Sequence, residues 1–224
     1  MLFLPKIYAM STTIFLIALI AINVIVSFKG FEDNYFFRKY QFHIGSILKG
    51  EQIRMITSGF LHADIAHLAF NMLTLYFFAP VVSGALGNYF FLLIYFASLI
   101  FGSMLTLFLH KNDYSYSAIG ASGAVTGIIY SAILLDPSLQ IFLFFIPIPI
   151  PAYLFGIGYL LYSIYGMRAK NDNIGHTAHF GGAIGGYIFS IILHPPILTE
   201  NTFMVVILTI PIIIMAVMAK QGKL

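Results

Sequence analysis

The chain has no cysteine and no tryptophan, and only 8% of its 224 residues are Asp, Glu, Lys or Arg. Without cysteine, disulfides, thiol nucleophiles and thiolate metal sites are excluded. The shortage of charge excludes a water-exposed globule, because soluble domains carry about 25% charged residues. So much apolar surface cannot be hidden inside one globule of this size. The net charge of +3 is spread over many connections and forms no basic face for nucleic acid. No HExxH stretch and no intramembrane aspartate pair occur, which argues against zinc and aspartyl hydrolases. No metal and no cofactor is expected.

What is present is hydrocarbon: 60% hydrophobic residues and a mean hydropathy of +0.93. A spanning helix needs about 20 mostly apolar residues. Seven runs qualify: Ile7 to Phe28, Leu61 to Pro80, Tyr89 to His110, Ser117 to Leu135, Pro151 to Tyr165, Thr177 to Leu193 and Phe203 to Met218. The expectation is an all-α, polytopic membrane helix bundle. "IPIPIP" (Ile146 to Pro151) is unfit for a helix interior, since each Pro removes an N–H and disfavours helix before it. It and "IFLFF" before it read as extended. The one long connection, Lys29 to Phe60, mixes aromatic and basic residues as a segment on a membrane surface does. No linker divides the chain, so residues 1–224 read as a single membrane domain.

Few strongly polar groups remain inside the spans, and polar groups at membrane depth are functional candidates by default. His67 and Asn71, four apart, share one face of the second span. The fourth span holds Ser122 and the sixth His179. Spans two, four and six must run in the same direction. His67, Ser122 and His179 each fall within seven residues of a span's start, no more than roughly 10 Å deep at 1.5 Å per residue. Glycines let these helices approach: Gly120, Gly123 and Gly127 on the fourth span, and Gly182 and Gly186 as a GxxxG on the sixth. A serine near a helix amino terminus has free N–H groups and a positive dipole end beside it. Ser122 is therefore cast as nucleophile, His179 as general base, and the Ser122 N–H with His67 and Asn71 as oxyanion donors. No carboxylate is expected to orient the histidine, so the pair is a dyad. Taken singly, "GASG" is a packing motif and a membrane histidine is hydrogen-bonded structure; their shared depth is what points to chemistry. His43, His62, His110, His176 and His194 lie near span ends and read as structural.

These residues resemble the rhomboid intramembrane serine proteases over roughly Glu51 to Gly186. "GASG" resembles the family's GxSG, "AHFGGAIGG" its AHxxGxxxG and "HLAFN" its HxxxN, while Arg54 matches the arginine of the loop after the first span. The resemblance implies a six-helix core (about residues 7–194) with a seventh, carboxy-terminal span (about 203–218). It implies an endopeptidase with the Ser122–His179 dyad, acting on single-span membrane proteins in the lipid bilayer, with no nucleic acid or metal as partner. The implied location is multi-pass in the cell membrane. Two positions depart: Ile53 stands where many members have tryptophan, and Thr126 where an aromatic often packs on the catalytic imidazole. Ten of the eleven Lys and Arg residues fall on the mouth side, only Lys6 opposite. The positive-inside rule then favours a cytoplasmic mouth, against the family's usual arrangement. Two other readings stand beside the protease: a non-catalytic chaperone with the same fold, and a transporter using His67 and His179 as a relay. The transporter needs polar groups through the whole depth, and the far half reads as apolar. Substrate access is expected at the fifth span, short and carrying Gly156 and Gly158, with "RAKNDNIG" (Arg168 to Gly175) as a lid.

Overall fold

The computed structural model describes residues 14–143, 146–169 and 174–224. Helix α1 (Ile14–Glu32) is followed by a folded connection: α2 (Asn34–Tyr40), strand β1 (Phe42–His43), then α3 (Ile44–Ile47) and α4 (Arg54–Thr57). Two long helices follow, α5 (Ile65–Leu86) and α6 (Asn88–His110). They are joined at Gly87, whose φ of +87° suits glycine alone. Strand β2 (Ser117–Ala118) leads into α7 (Ser122–Leu135), and strands β3 (Gln140–Leu143) and β4 (Ile146–Pro151) connect it to α8 (Ala152–Ala169). Helices α9 (His176–Leu193), α10 (Ile197–Glu200) and α11 (Thr202–Lys220) complete the chain. Among the described residues, four helices, α1, α5, α6 and α11, are long and apolar enough to cross a membrane.

Several sequence expectations need correction. The fold is not purely helical, since β1 pairs antiparallel with β2 and β3 with β4. Both ladders lie where backbone has left a helix and must bond elsewhere. In β4, Ile141 faces Ile150, and Ala152 N–H donates to the Leu139 carbonyl at 2.8 Å. The N–H groups of even-numbered residues thus face the ladder. The prolines at 147, 149 and 151 fall where an N–H would point away, which is how an edge strand tolerates proline. Residues 144 and 145 of "IFLFF" lie outside the described residues, as do 7–13 of the first span and 170–173 of the expected lid. Helix α5 continues through Pro80 to Leu86; a buried proline is tolerated in a membrane helix when neighbours satisfy the freed groups. Helix α7 starts at Ser122, five residues later than the fourth span was drawn. With 14 residues it is about 21 Å long, short of a hydrocarbon core of about 30 Å.

Helix α7 is the centre of the bundle, with every residue from Gly123 to Leu134 buried. Glycines set how closely α6 and α9 approach it. A Cβ on Gly127 would lie 2.7 Å from the Gly182 carbonyl, and one on Gly123 would lie 2.9 Å from the Ala178 carbonyl. On α9, Gly182 abuts the Gly123 carbonyl and Gly186 the Gly127 carbonyl, closer than any side chain permits. On the other side of α9, a Cβ on Gly181 would lie 2.6 Å from the Phe101 carbonyl, and one on Gly102 of α6 would lie 2.6 Å from the Ala178 carbonyl. Gly120 is the exception among the packing glycines. It precedes α7 with φ +116°, and serves a turn instead of a helix contact. The far half of the bundle is less apolar than expected, since the Ser190 hydroxyl, which donates to the Gly186 carbonyl at 2.6 Å, accepts from Ser131 at 2.7 Å in its interior. Both hydroxyls belong to helices and form a closed pair.

Substituting Gly182→Leu forces α7 and α9 apart. Overpacking a tight contact costs about 1–3 kcal/mol, and here the obstacle is backbone. The expected outcome is a clearly lower unfolding temperature in detergent, measured by thermal scanning. An unchanged midpoint would remove this glycine from the contact.

Candidate active site

The strand leading to Ser122 is fixed before α7 begins. Pairing of β1 with β2 sets Phe42 opposite Ala118 and His43 opposite Ser117. Gly120 N–H donates to the Ser58 carbonyl at 3.0 Å. A Cβ at Gly120 would stand 2.8 Å from His67 Cε1, so this glycine provides both the positive φ and the room for the imidazole. Arg54 holds the connection from below. It is buried, bonds Glu51 at 2.6 Å through Nε, and caps the Arg38 and Gln41 carbonyls through Nη1 at 2.7 and 3.1 Å. Ile53 is exposed and anchors nothing.

Ser122 is half-buried at the first position of α7, where N–H groups have no intrahelical acceptor. Its Oγ lies 2.6 Å from His179 Nε2. His179 is buried in the first turn of α9. The two residues meet because α7 and α9 touch backbone to backbone just below them. The other face of the imidazole belongs to α8. The Tyr159 ring lies over it at 5.5 Å and 29°, and the Tyr159 hydroxyl is 2.8 Å from His179 Nδ1.

His67 and Asn71 line the same cleft as Ser122 and His179. His67 Nδ1 faces the Ala63 N–H at 3.4 Å, which turns the Nε2 side of the ring toward Gly120. The Asn71 amide gives one N–H to the His67 carbonyl at 2.9 Å, leaving its second for the cleft. Asp64 also borders the cleft, but as the cap of α5: it accepts the His67 backbone N–H at 2.7 Å. The cleft is about 1300 Å³. It runs from Ser117, Ala118 and Gly175 at the mouth down between α5 and α8 to Gln140 and Ile141 of β3.

A Rhomboid domain matches residues 49–196. The chain belongs to the rhomboid family. It is similar to RHOMBOID-like protein 12, mitochondrial, of Arabidopsis thaliana, 31% identical over 176 residues, 72% of this chain and 52% of that one. It is also similar to YdcA of Bacillus subtilis, 34% identical over 146 residues, 65% of this chain and 69% of that one. Rhomboid protease GluP of Bacillus subtilis is 33% identical over 154 residues, 67% of this chain and 28% of that one. The chain thus spans about half the length of the plant relative and less of GluP. With its apolar helices it is an integral, multi-pass membrane protein of this family.

Sequence reading missed Tyr159 at this rhomboid site, and named His62 and His176 only as structural histidines. Tyr159 carried no signal, being one of 14 tyrosines in an apolar run. Its neighbour Gly156, expected to loosen α8, does the reverse: the Tyr130 hydroxyl donates to its carbonyl at 2.8 Å, and a Cβ there would meet Ile133 at 2.9 Å. His176 is buried against Gly166 and beside Tyr162, and seats the start of α9 on α8. His62 is fully buried behind the serine strand. Ser27 donates its hydroxyl to the Phe60 carbonyl at 3.0 Å, so His62 Nδ1–H donates to Ser27 Oγ at 2.8 Å. His62 Nε2 then accepts the Ala121 N–H at 3.4 Å. Only a neutral ring can make both bonds. Burial, with His67 nearby, pushes His62 down to about 3.

That shift has a definite sign. An unfolded chain protonates this histidine near about 6.5, whereas the folded protein resists until about 3. Its contribution is fully present above about 6.5 and is lost as pH falls toward 3. Between pH 7 and pH 4.5 the unfolding temperature of the parent protein is therefore expected to fall more than that of His62→Gln. Equal losses would show that His62 does not titrate this way.

Proposed function

We propose that this chain is a serine endopeptidase that cuts transmembrane helices with the Ser122–His179 dyad. The observation that carries this reading is the 2.6 Å contact between Ser122 Oγ and His179 Nε2 at the amino end of a buried helix. A chaperone that only holds client helices has no use for such a contact. The similarity to GluP, a rhomboid protease, supports the same reading.

The steps follow from the geometry. Ser122 Oγ attacks a peptide carbonyl carbon as its proton passes to His179 Nε2. The carbonyl oxygen becomes an oxyanion beside the amino end of α7, the His67 ring and the Asn71 amide. His179 then gives the proton to the leaving nitrogen, the C–N bond breaks, and an acyl-Ser122 remains. Water attacks the acyl carbon, losing a proton to Nε2. Collapse releases the acid and returns that proton to Ser122 Oγ. Because α7 is about 21 Å long, its start is sunk below the membrane surface, and water reaches it from the mouth.

A substrate helix hides its carbonyls in i→i−4 bonds and must unwind to be cut. Single-span substrates with Gly, Pro or polar residues near the mouth are preferred, since unwinding costs least there. Access is lateral, between α5 and α8, where Phe70, Leu73 and Phe77 face Phe155 across the cleft. The six-helix core with α11 as a seventh span, one domain, and residence in the cell membrane complete the proposal.

Ser122→Ala should abolish both cleavage and fluorophosphonate labelling while leaving the fold intact. His67→Ala and Asn71→Ala should each slow turnover by about 10²–10³ yet keep Ser122 labelling. Wild-type cleavage by Ser122→Ala would overturn the assignment. A cysteine pair tying α5 to α8, simple to place in a cysteine-free chain, should block cleavage of membrane substrates. Cleavage at the uncrosslinked rate would locate the gate elsewhere.

A further inference from the structure

The histidine of the dyad has a second nitrogen, and what that nitrogen bonds decides whether the first can act as a base. For Ser122 to donate to Nε2, that nitrogen must carry the lone pair, so the proton sits on Nδ1. What stands 2.8 Å from Nδ1 is the Tyr159 hydroxyl. In that tautomer Nδ1–H donates and Tyr159 Oη accepts. The phenol then has its own proton to place, and the Thr126 side chain lines the same cleft beside it. Thr126 in turn donates its hydroxyl to the Ser122 carbonyl at 2.7 Å. Three links stand at hydrogen-bond distance: Ser122 hydroxyl to His179 Nε2, Nδ1–H to Tyr159, and Thr126 to the serine's own backbone; a phenol proton passed to Thr126 joins them into one directed line. Reversing any one link leaves two protons between one pair of atoms or none.

We propose that Tyr159 is the positioning residue of the dyad, holding His179 as the Nδ1–H tautomer through a hydrogen-bond line that Thr126 closes. This rests on the protease reading, which makes Ser122 the donor to Nε2, but the tautomer can be measured without it. The arrangement accounts for the threonine. An aromatic side chain one turn after Ser122 would fill the space Tyr159 takes from α8 and would offer no acceptor for its hydroxyl. Ring stacking and hydroxyl are both delivered by the helix that borders the substrate cleft. The base is therefore set up only while α8 is seated, and the Tyr130 bond to the Gly156 carbonyl, one turn from Tyr159, helps to seat it.

The test uses Tyr159→Phe, which keeps the ring and removes the acceptor, with Thr126→Val and the double variant, in the full chain. Unfolding temperature in detergent reports on folding. The nitrogen NMR shifts of His179 report on the tautomer. Cleavage of a single-span fluorogenic substrate gives kcat and KM. The parent protein should show the Nδ1–H tautomer, and Tyr159→Phe a mixture. For Tyr159→Phe, kcat should fall about ten-fold, the net worth of one hydrogen bond, with KM little changed. Thr126→Val should lower kcat in the parent background and add little to Tyr159→Phe, because the two act through one line. An Nε2–H tautomer in the parent, an unchanged kcat in Tyr159→Phe, or fully additive losses would overturn the proposal. If the parent protein neither cleaves nor labels, the protease reading fails, and the tautomer still decides the role of Tyr159.

Discussion

Gly182 presents a hydrogen where any other residue would drive a carbon into the Gly123 carbonyl. That backbone-to-backbone contact between α7 and α9 is the constraint from which the site follows. Lipid supplies no hydrophobic force to press helices together, so close packing must come from shape. With glycines at 123, 127, 182 and 186 the helix axes approach until a serine at the head of one and a histidine in the first turn of the other share a hydrogen bond. A spacing about 1 Å wider would separate them, and misplacement of that size can cost on the order of 100-fold in rate.

The connection after α1 does for the mouth what the glycines do for the interior. Its strand β1 pairs with the strand before Ser122, Ser58 takes the Gly120 N–H, and His62 takes the Ala121 N–H. The serine is thus held from both directions, by a helix that starts at it and by a segment pinned up to it. Arg54 keeps its charge at the edge of an apolar protein by bonding that connection through Nε and Nη1. A buried guanidinium is tolerated only when so paired.

Several polar groups inside this bundle are closed on one another. Ser131 pairs with Ser190, Thr106 with Thr177, and the line from Ser122 to Thr126 returns to its own helix. In surroundings of low dielectric each bond is stronger than in water, and each missing one costs more. A histidine stacked on a tyrosine and bonded to it is held without a buried carboxylate, whose charge would be expensive at this depth.

Composition alone made this a membrane helix bundle, because 60% hydrophobic residues leave no other solution. The parity of the spans brought His67, Ser122 and His179 to one side, since alternate crossings must run in the same direction. The glycine spacing announced close approach. Those features are periodic or compositional, so they can be read from a single line of residues. The start of α7, the turn at Gly120, the burial of His62 and the reach of Tyr159 to His179 were decided only by the tertiary structure. Each depends on a partner 20 to about 75 positions away, and nothing in an apolar run distinguishes the one tyrosine that meets an imidazole from those that meet lipid. Sequence fixes which groups sit at which depth, because depth is counted along a helix. Which of them touch depends on how the helices rotate and lean on one another, and that is settled by packing across the whole bundle.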